Sequence, residues 1–191
     1  MAEVKGVWIL DYAKMIKNLL KVNPEKKSDF DEWLTEKDWE IINSMILPVQ
    51  YYPYECFQRI GQAVFKVVAR SNLDASRAFG RKMISELLKF YKRLLVKNDP
   101  LESLKRFISF HTEYFKEVQA KSELIDSSPK SAVIRLKLTD TDKKYPEAAE
   151  AFAWQLGGSF EQLAAVAEGK KIKLSIIKEP QGDFIFNIQW E

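Results

Sequence analysis

The chain has 191 residues, 46% of them apolar and 13% aromatic, which suits one folded domain with a sizeable core and excludes a disordered chain. Its formal net charge is +3 with 30% charged residues, and its basic runs are only pairs such as Lys26-Lys27, Lys143-Lys144 and Lys170-Lys171. That balance excludes a nucleic-acid-binding face, and no apolar run approaches the ~20 residues that span a bilayer.

From the N-terminus, Trp8, Ile9, Tyr12, Met15, Ile16, Leu19 and Leu20 recur at helical spacing and predict an amphipathic helix over residues 7–20. Asn23-Pro24 stops it. Thr35 with Asp38 three residues on reads as a capping box for a helix through Trp39, Ile42 and Met45 that ends before Pro48. Tyr52-Pro53 predicts another helix start, with Phe57, Ile60, Gly61, Val64, Val67 and Val68 on its buried side. Asp74 caps a helix whose stripe runs from Ala78 and Phe79 to Leu94. Asp99-Pro100 opens one carrying Leu101, Leu104, Phe107, Ile108, His111, Tyr114, Phe115 and Val118.

After Pro129 the period changes. Ala132, Ile134, Leu136 and Leu138 alternate with polar or opposite-face residues and predict a strand. Pro146 opens a helix expected to stop at Gly157-Gly158, followed by a short helical piece over 160–166. Ile172, Leu174 and Ile176, then Phe184–Trp190 after the Gln181-Gly182-Asp183 turn, predict an antiparallel hairpin that closes the core. The expected fold class is α+β: one domain over 1–191, with a helical part over 1–126 and a β-α-β-β part over 127–191. The single Cys56 forms no internal disulfide, the start shows no cleavable signal, and a soluble cytoplasmic protein is expected.

Four stretches together carry a family resemblance: Leu47-Pro48-Val49-Gln50-Tyr51-Tyr52-Pro53, Ala78-Phe79-Gly80-Arg81, Asn98-Asp99-Pro100-Leu101, and the closing Gly157-Gly158-Ser159-Phe160 with Gly182–Phe186 and Trp190. In order and spacing the chain resembles the superfamily of haem nitric-oxide sensor domains, 4-vinyl-reductase-type ligand-binding domains and TRAPP tethering subunits. Within it, the chain is most similar to a bacterial family of myxobacterial type. The resemblance implies helices packed on an antiparallel sheet around a pocket that in relatives holds haem, a small hydrophobic molecule or an acyl chain. It also implies association of two copies, for which the first helix is apolar enough.

The candidate residues follow. His111 is the only histidine, hence the only imidazole available to a haem iron. The haem sensors that the chain resembles also clamp the haem propionates with a Tyr-x-Ser-x-Arg motif. The corresponding Leu136-Lys137-Leu138-Thr139-Asp140 does not match it, so a buried structural histidine is the favoured reading and haem is disfavoured as cofactor. Cys56 is a candidate for acyl attachment, against the ordinary reading of a packed thiol. Arg81 is a candidate partner for an acidic ligand group, against a solvated helix charge. Tyr52, Tyr54 and Phe115 are candidate pocket linings, and the three tyrosines Tyr51, Tyr52 and Tyr54 around one proline cannot all point into one core. Gly80 reads as a close-packing position in mid-helix.

One Cys and one His do not make a zinc site. Gly157-Gly158-Ser159 lacks the lysine of a phosphate loop. The carboxylate pairs Asp29/Asp31 and Asp140/Asp142 read as exposed loop groups. The expectation is a non-enzymatic ligand-binding or sensor domain for an apolar or amphipathic small molecule, acting through a homodimer or another protein partner. The alternatives are a haem gas sensor with His111 as axial ligand, and a ligand-free scaffold whose pocket is filled by aromatic side chains.

Overall fold

The computed structural model describes residues 2–116 and 122–191. Val118, placed by its spacing on the His111 helix, lies outside the described residues. The elements in chain order are β1 (Glu3–Lys5), α1 (Gly6–Val22), α2 (Lys27–Asp31), α3 (Glu36–Asn43), β2 (Tyr51–Pro53), α4 (Tyr54–Ala63), α5 (Leu73–Phe90), α6 (Pro100–Thr112), β3 (Phe115–Lys116), β4 (Ser122–Ser128), β5 (Ser131–Leu136), α7 (Asp140–Lys144), α8 (Pro146–Val166), β6 (Lys173–Lys178) and β7 (Phe184–Gln189). The class is α+β, with antiparallel sheets and the larger sheet at the C-terminal end. No helix among the described residues is long and apolar enough to cross a membrane.

The chain forms two compact units. The first holds β1 to α4, β3, α7 and the opening turns of α8 up to Ala151. Its small sheet has the order β2-β1-β3. The apolar face of α1 is buried here: Trp8, Ile9, Tyr12 and Ile16 are core residues, and Tyr12 stacks on Phe57 of α4 at 5.7 Å. The face expected to join two copies is therefore largely occupied within its own unit. The Thr35 capping box forms as its spacing predicts: the Thr35 hydroxyl accepts from the Asp38 N–H, and the Asp38 carboxylate accepts from the Thr35 N–H at 2.9 Å. Pro53 lies just outside α4, at its N-cap and in β2, because its partner Glu3 holds it in the sheet.

The second unit holds α5, α6, the four-stranded antiparallel sheet β4-β5-β7-β6, and α8 from Phe152 onward. Inward residues of β5 and β7 face each other in register: Ala132 with Ile188, Ile134 with Phe186, Leu136 with Phe184. An aromatic column links helix to sheet, Phe107 to Phe160 at 5.8 Å and Phe160 to Phe186 at 5.2 Å, both edge to face, the favoured aromatic geometry. The closing strand is in the core, as its alternation predicts, with Phe184, Phe186, Ile188 and Trp190 buried.

Several elements differ from the sequence reading, among them the helix read from an Asp74 cap to Leu94, which spans Leu73–Phe90, and the Trp39 helix, which ends at Asn43 before Met45. The sheet has one strand more than β-α-β-β. A bulge between Leu124 and Asp126 breaks the alternation of β4, which leaves no period to read. The helix on Pro146 does not stop at Gly157-Gly158 but runs to Val166. A Cβ on Gly158 would overlap the Arg77 carbonyl of α5, and one on Gly157 would meet Ile176 Cδ1 at 2.6 Å. The glycines mark where α8 passes closest to its neighbours. Finally, α6 ends at Thr112, so Tyr114 is in the following turn and Phe115 in β3.

Candidate functional site

His111 sits in the last turn of α6, a helix opened by the Asp99 side chain accepting from the Glu102 N–H, with Pro100 at its first position. The imidazole is buried. It lies 5.8 Å from the Phe152 ring at an interplanar angle of 28°, and 6.3 Å from the Phe107 ring. Burial alone pushes its pKa down to about 3, because a charged imidazolium is poorly solvated among aromatic side chains. The ring is thus neutral at physiological pH.

Arg81 belongs to the same unit. It donates to Glu161 at 2.8 Å, and Arg77 meets the same carboxylate through two bonds of 3.1 Å. Burial by itself raises the Glu161 carboxyl; the two arginines outweigh it and leave it below the usual range. Arg81 is thus half of an internal ion pair.

Tyr52, Tyr54, Cys56 and Phe115 belong to the first unit. Tyr52 is buried, and its hydroxyl accepts from the Leu47 N–H at 3.0 Å. Tyr54 and Phe115 come together: their rings meet edge to face at 5.9 Å, with Phe57 and Trp8 completing the aromatic cluster. Cys56 is buried near the Asp38 carboxylate; burial first, then that carboxylate, pushes the thiol far above its ordinary value. It is therefore a protonated, enclosed thiol and a poor nucleophile.

Asp142 corrects the sequence reading. Asp140 is exposed, as a polar loop predicts, but Asp142 is buried on α7. Its carboxylate accepts from the Tyr54 hydroxyl at 2.7 Å and from Gln58 Nε2 at 2.6 Å. Burial, then the nearby carboxylate, holds the Tyr54 phenol well above its ordinary pKa, hence as a donor. Tyr54 and Gln58 stand four apart on the buried face of α4. Two polar groups on one apolar stripe demand a buried partner, and that spacing was the available signal for one. Asp29 and Asp31 are exposed and pair with Lys26 and Lys27.

Beside this cluster, Asp38 is fully buried and takes a two-point bond from Arg59, 2.6 Å to Nε and 2.9 Å to an Nη. Replacing Arg59 with methionine is expected to cost about 3 kcal/mol, since the carboxylate is left without its cation. Urea unfolding measures the loss, and adding Asp38→Asn to the same chain recovers part of it.

Leu136–Asp140 carries no arginine. Leu136 is buried at the end of β5, the Leu138 N–H donates to Asp183 at 2.9 Å, and Lys137 pairs with Glu123 at 3.2 Å.

No family model and no curated protein sequence matches the chain. Solved structures do. An Fe(II) unliganded H-NOX protein from K. algicida is 15% identical with a TM-score of 0.65, covering 98% of this chain and 96% of that one. An oxygen-binding H-NOX domain related to soluble guanylate cyclases, in its oxygen complex, is 13% identical with a TM-score of 0.62, over 98% of this chain and 95% of that one. A structure probing haem distortion in the H-NOX family is 13% identical with a TM-score of 0.63, over 98% and 95%. Likeness along almost the whole of both chains means that this protein has the fold of the H-NOX domains.

Proposed function

We propose that the chain is a haem-based gas-sensor domain in which His111 is the axial ligand of the iron. The observation that carries this reading is the state of the imidazole: buried at the end of α6, among aromatic rings, and neutral down to about pH 3. Iron takes the lone pair of a neutral ring, and protonation competes with it, so a strongly lowered pKa keeps the lone pair available. A buried, neutral donor between the Phe107 and Phe152 rings fits an axial ligand.

When bound, haem supplies an iron that takes up a diatomic gas. The chain's own residues position and respond. Helix α6 sets the height of the imidazole, and Phe107 and Phe152 limit its rotation. Because Phe152 is part of α8, a shift of the His111 ring presses on that helix. This is a route from ligand state to conformation through populations of two packings, which suits a sensor.

The propionates of haem are not matched by Leu136–Asp140, whose one cation, Lys137, already meets Glu123. That mismatch favours, as a second reading, an apolar ligand without carboxylates.

Titrating the purified protein with haemin tests the first reading. The expected result is saturation of the haem absorption at one equivalent and a loss of affinity of ~tenfold or more in His111→Ala. Equal binding by both proteins contradicts it. Native mass spectrometry distinguishes the readings, since a lipid-sized mass leaving on denaturation supports the second.

A further inference from the structure

We propose that the loop between α3 and β2 is a docking surface for an anionic lipid membrane. From Ile41 to Tyr54 no residue carries a charge, in a chain with 30% charged residues. The loop is nonetheless not packed away. Met45 is 84% exposed, Val49 77% and Leu47 45%. Scattered exposed apolar side chains are ordinary, but three on one short loop form a tip.

The tip is rigid. Ile46 is buried beneath it. The Gly6 N–H donates to the Gln50 carbonyl at 2.8 Å, the Val7 N–H to Pro48 at 3.1 Å, and the Gln50 N–H to Leu47 at 3.1 Å. The loop is thereby fastened to the N-terminus of α1. Its apolar residues are presented without an ordering step, which lowers the entropy lost on binding.

Cations stand beside it. Lys5, directly before Gly6, pairs in the sheet with Tyr51, and its ammonium lies 4.4 Å from the Tyr114 ring centroid and 5.7 Å from that of Tyr51. Lys116 of β3 lies 5.9 Å from the Tyr51 ring on the same sheet, and also meets Glu3 at 3.5 Å. An apolar tip flanked by lysines and a half-exposed tyrosine has the chemistry of an interfacial anchor. Apolar groups enter the acyl boundary, tyrosine sits at headgroup level, and lysines meet anionic headgroups. A second copy fits less well, because a two-fold contact through the tip brings the same lysines of both chains together.

Co-sedimentation with vesicles tests this independently of haem. Phosphatidylcholine vesicles containing phosphatidylserine are expected to carry the protein down, and phosphatidylcholine alone to carry ~tenfold less. Binding weakens as salt rises. The variant Met45→Ser/Leu47→Ser/Val49→Ser, all at exposed positions, is expected to keep its fold and lose the sedimentation, and Lys5→Gln/Lys116→Gln to weaken it. No sedimentation of the folded wild type, or equal sedimentation of the triple-serine variant, overturns the proposal. So does a wild-type dimer that the triple-serine substitution converts to monomer, since a second copy then covers the tip.

Discussion

Acidifying the haem-free protein from pH 6.5 to pH 4.5 is expected to remove about 2 kcal/mol of folding stability through His111 alone. In the unfolded chain the imidazole takes a proton near its ordinary pKa of 6.5, whereas in the folded chain burial holds it neutral to about 3. Between those values the unfolded state binds more protons, so stability rises with pH there. The contribution is fully present above the unfolded pKa and is lost as pH falls towards the folded one. The assignment is clean because the chain has one histidine. The carboxylates held below their ordinary values begin to lose their contribution as pH falls to their unfolded values, 4.5 for Glu161 and 3.8 for Asp38, so part of the loss seen at pH 4.5 is theirs. Urea unfolding at the two pH values measures the difference. His111→Leu is expected to lower the difference by the histidine part, about 2 kcal/mol, and to leave the carboxylate part. An equally steep wild type and variant would mean that the ring is solvated.

The second large effect concerns the crossing of α5 and α8. Replacing Gly158 with alanine is expected to destabilise the protein by about 3 kcal/mol, despite the ~1 kcal/mol that alanine gains in helix propensity. The contact is reciprocal. A Cβ on Gly158 would overlap the Arg77 carbonyl, and one on Gly80 would overlap the Gln155 carbonyl. Across the same contact the Ser159 hydroxyl donates to the Gly80 carbonyl at 3.1 Å. The clash is with backbone, so no rotamer relieves it and the helices must separate. Thermal unfolding is expected to shift down by roughly 10 °C for a chain of this size, and Gly80→Ala should behave alike. Gly182→Ala is the contrast: nothing lies within 4 Å of its Cβ, and only its φ of +102° opposes a side chain.

What the sequence made legible was local. Thr35–Asp38 and Asp99-Pro100 announce their helices because capping needs only neighbours in the chain, and the even alternation of Ala132, Ile134 and Leu136 announces β5 because one face is buried. What stayed hidden depends on distant partners. Gly157-Gly158 looks like a helix stop until α5 and β6 lie against it. Asp142 looks like an exposed loop carboxylate until Tyr54 and Gln58, far away in sequence, donate to it. The bulge in β4 erases the alternation that would have marked it. At the candidate site, His111 was legible as the lone imidazole on an apolar stripe. Its neutrality was not, because that follows from Phe107 and Phe152 closing around it.

Rescue of a cavity variant tests the central claim most directly. His111→Gly removes the proposed axial ligand, and free imidazole can take its place. The ferrous haem spectrum of wild type is expected to be lost in His111→Gly and restored when imidazole is added, with no effect of imidazole on wild type. A wild type that takes up no haem, or a variant whose haem spectrum matches wild type without imidazole, contradicts His111 as the ligand.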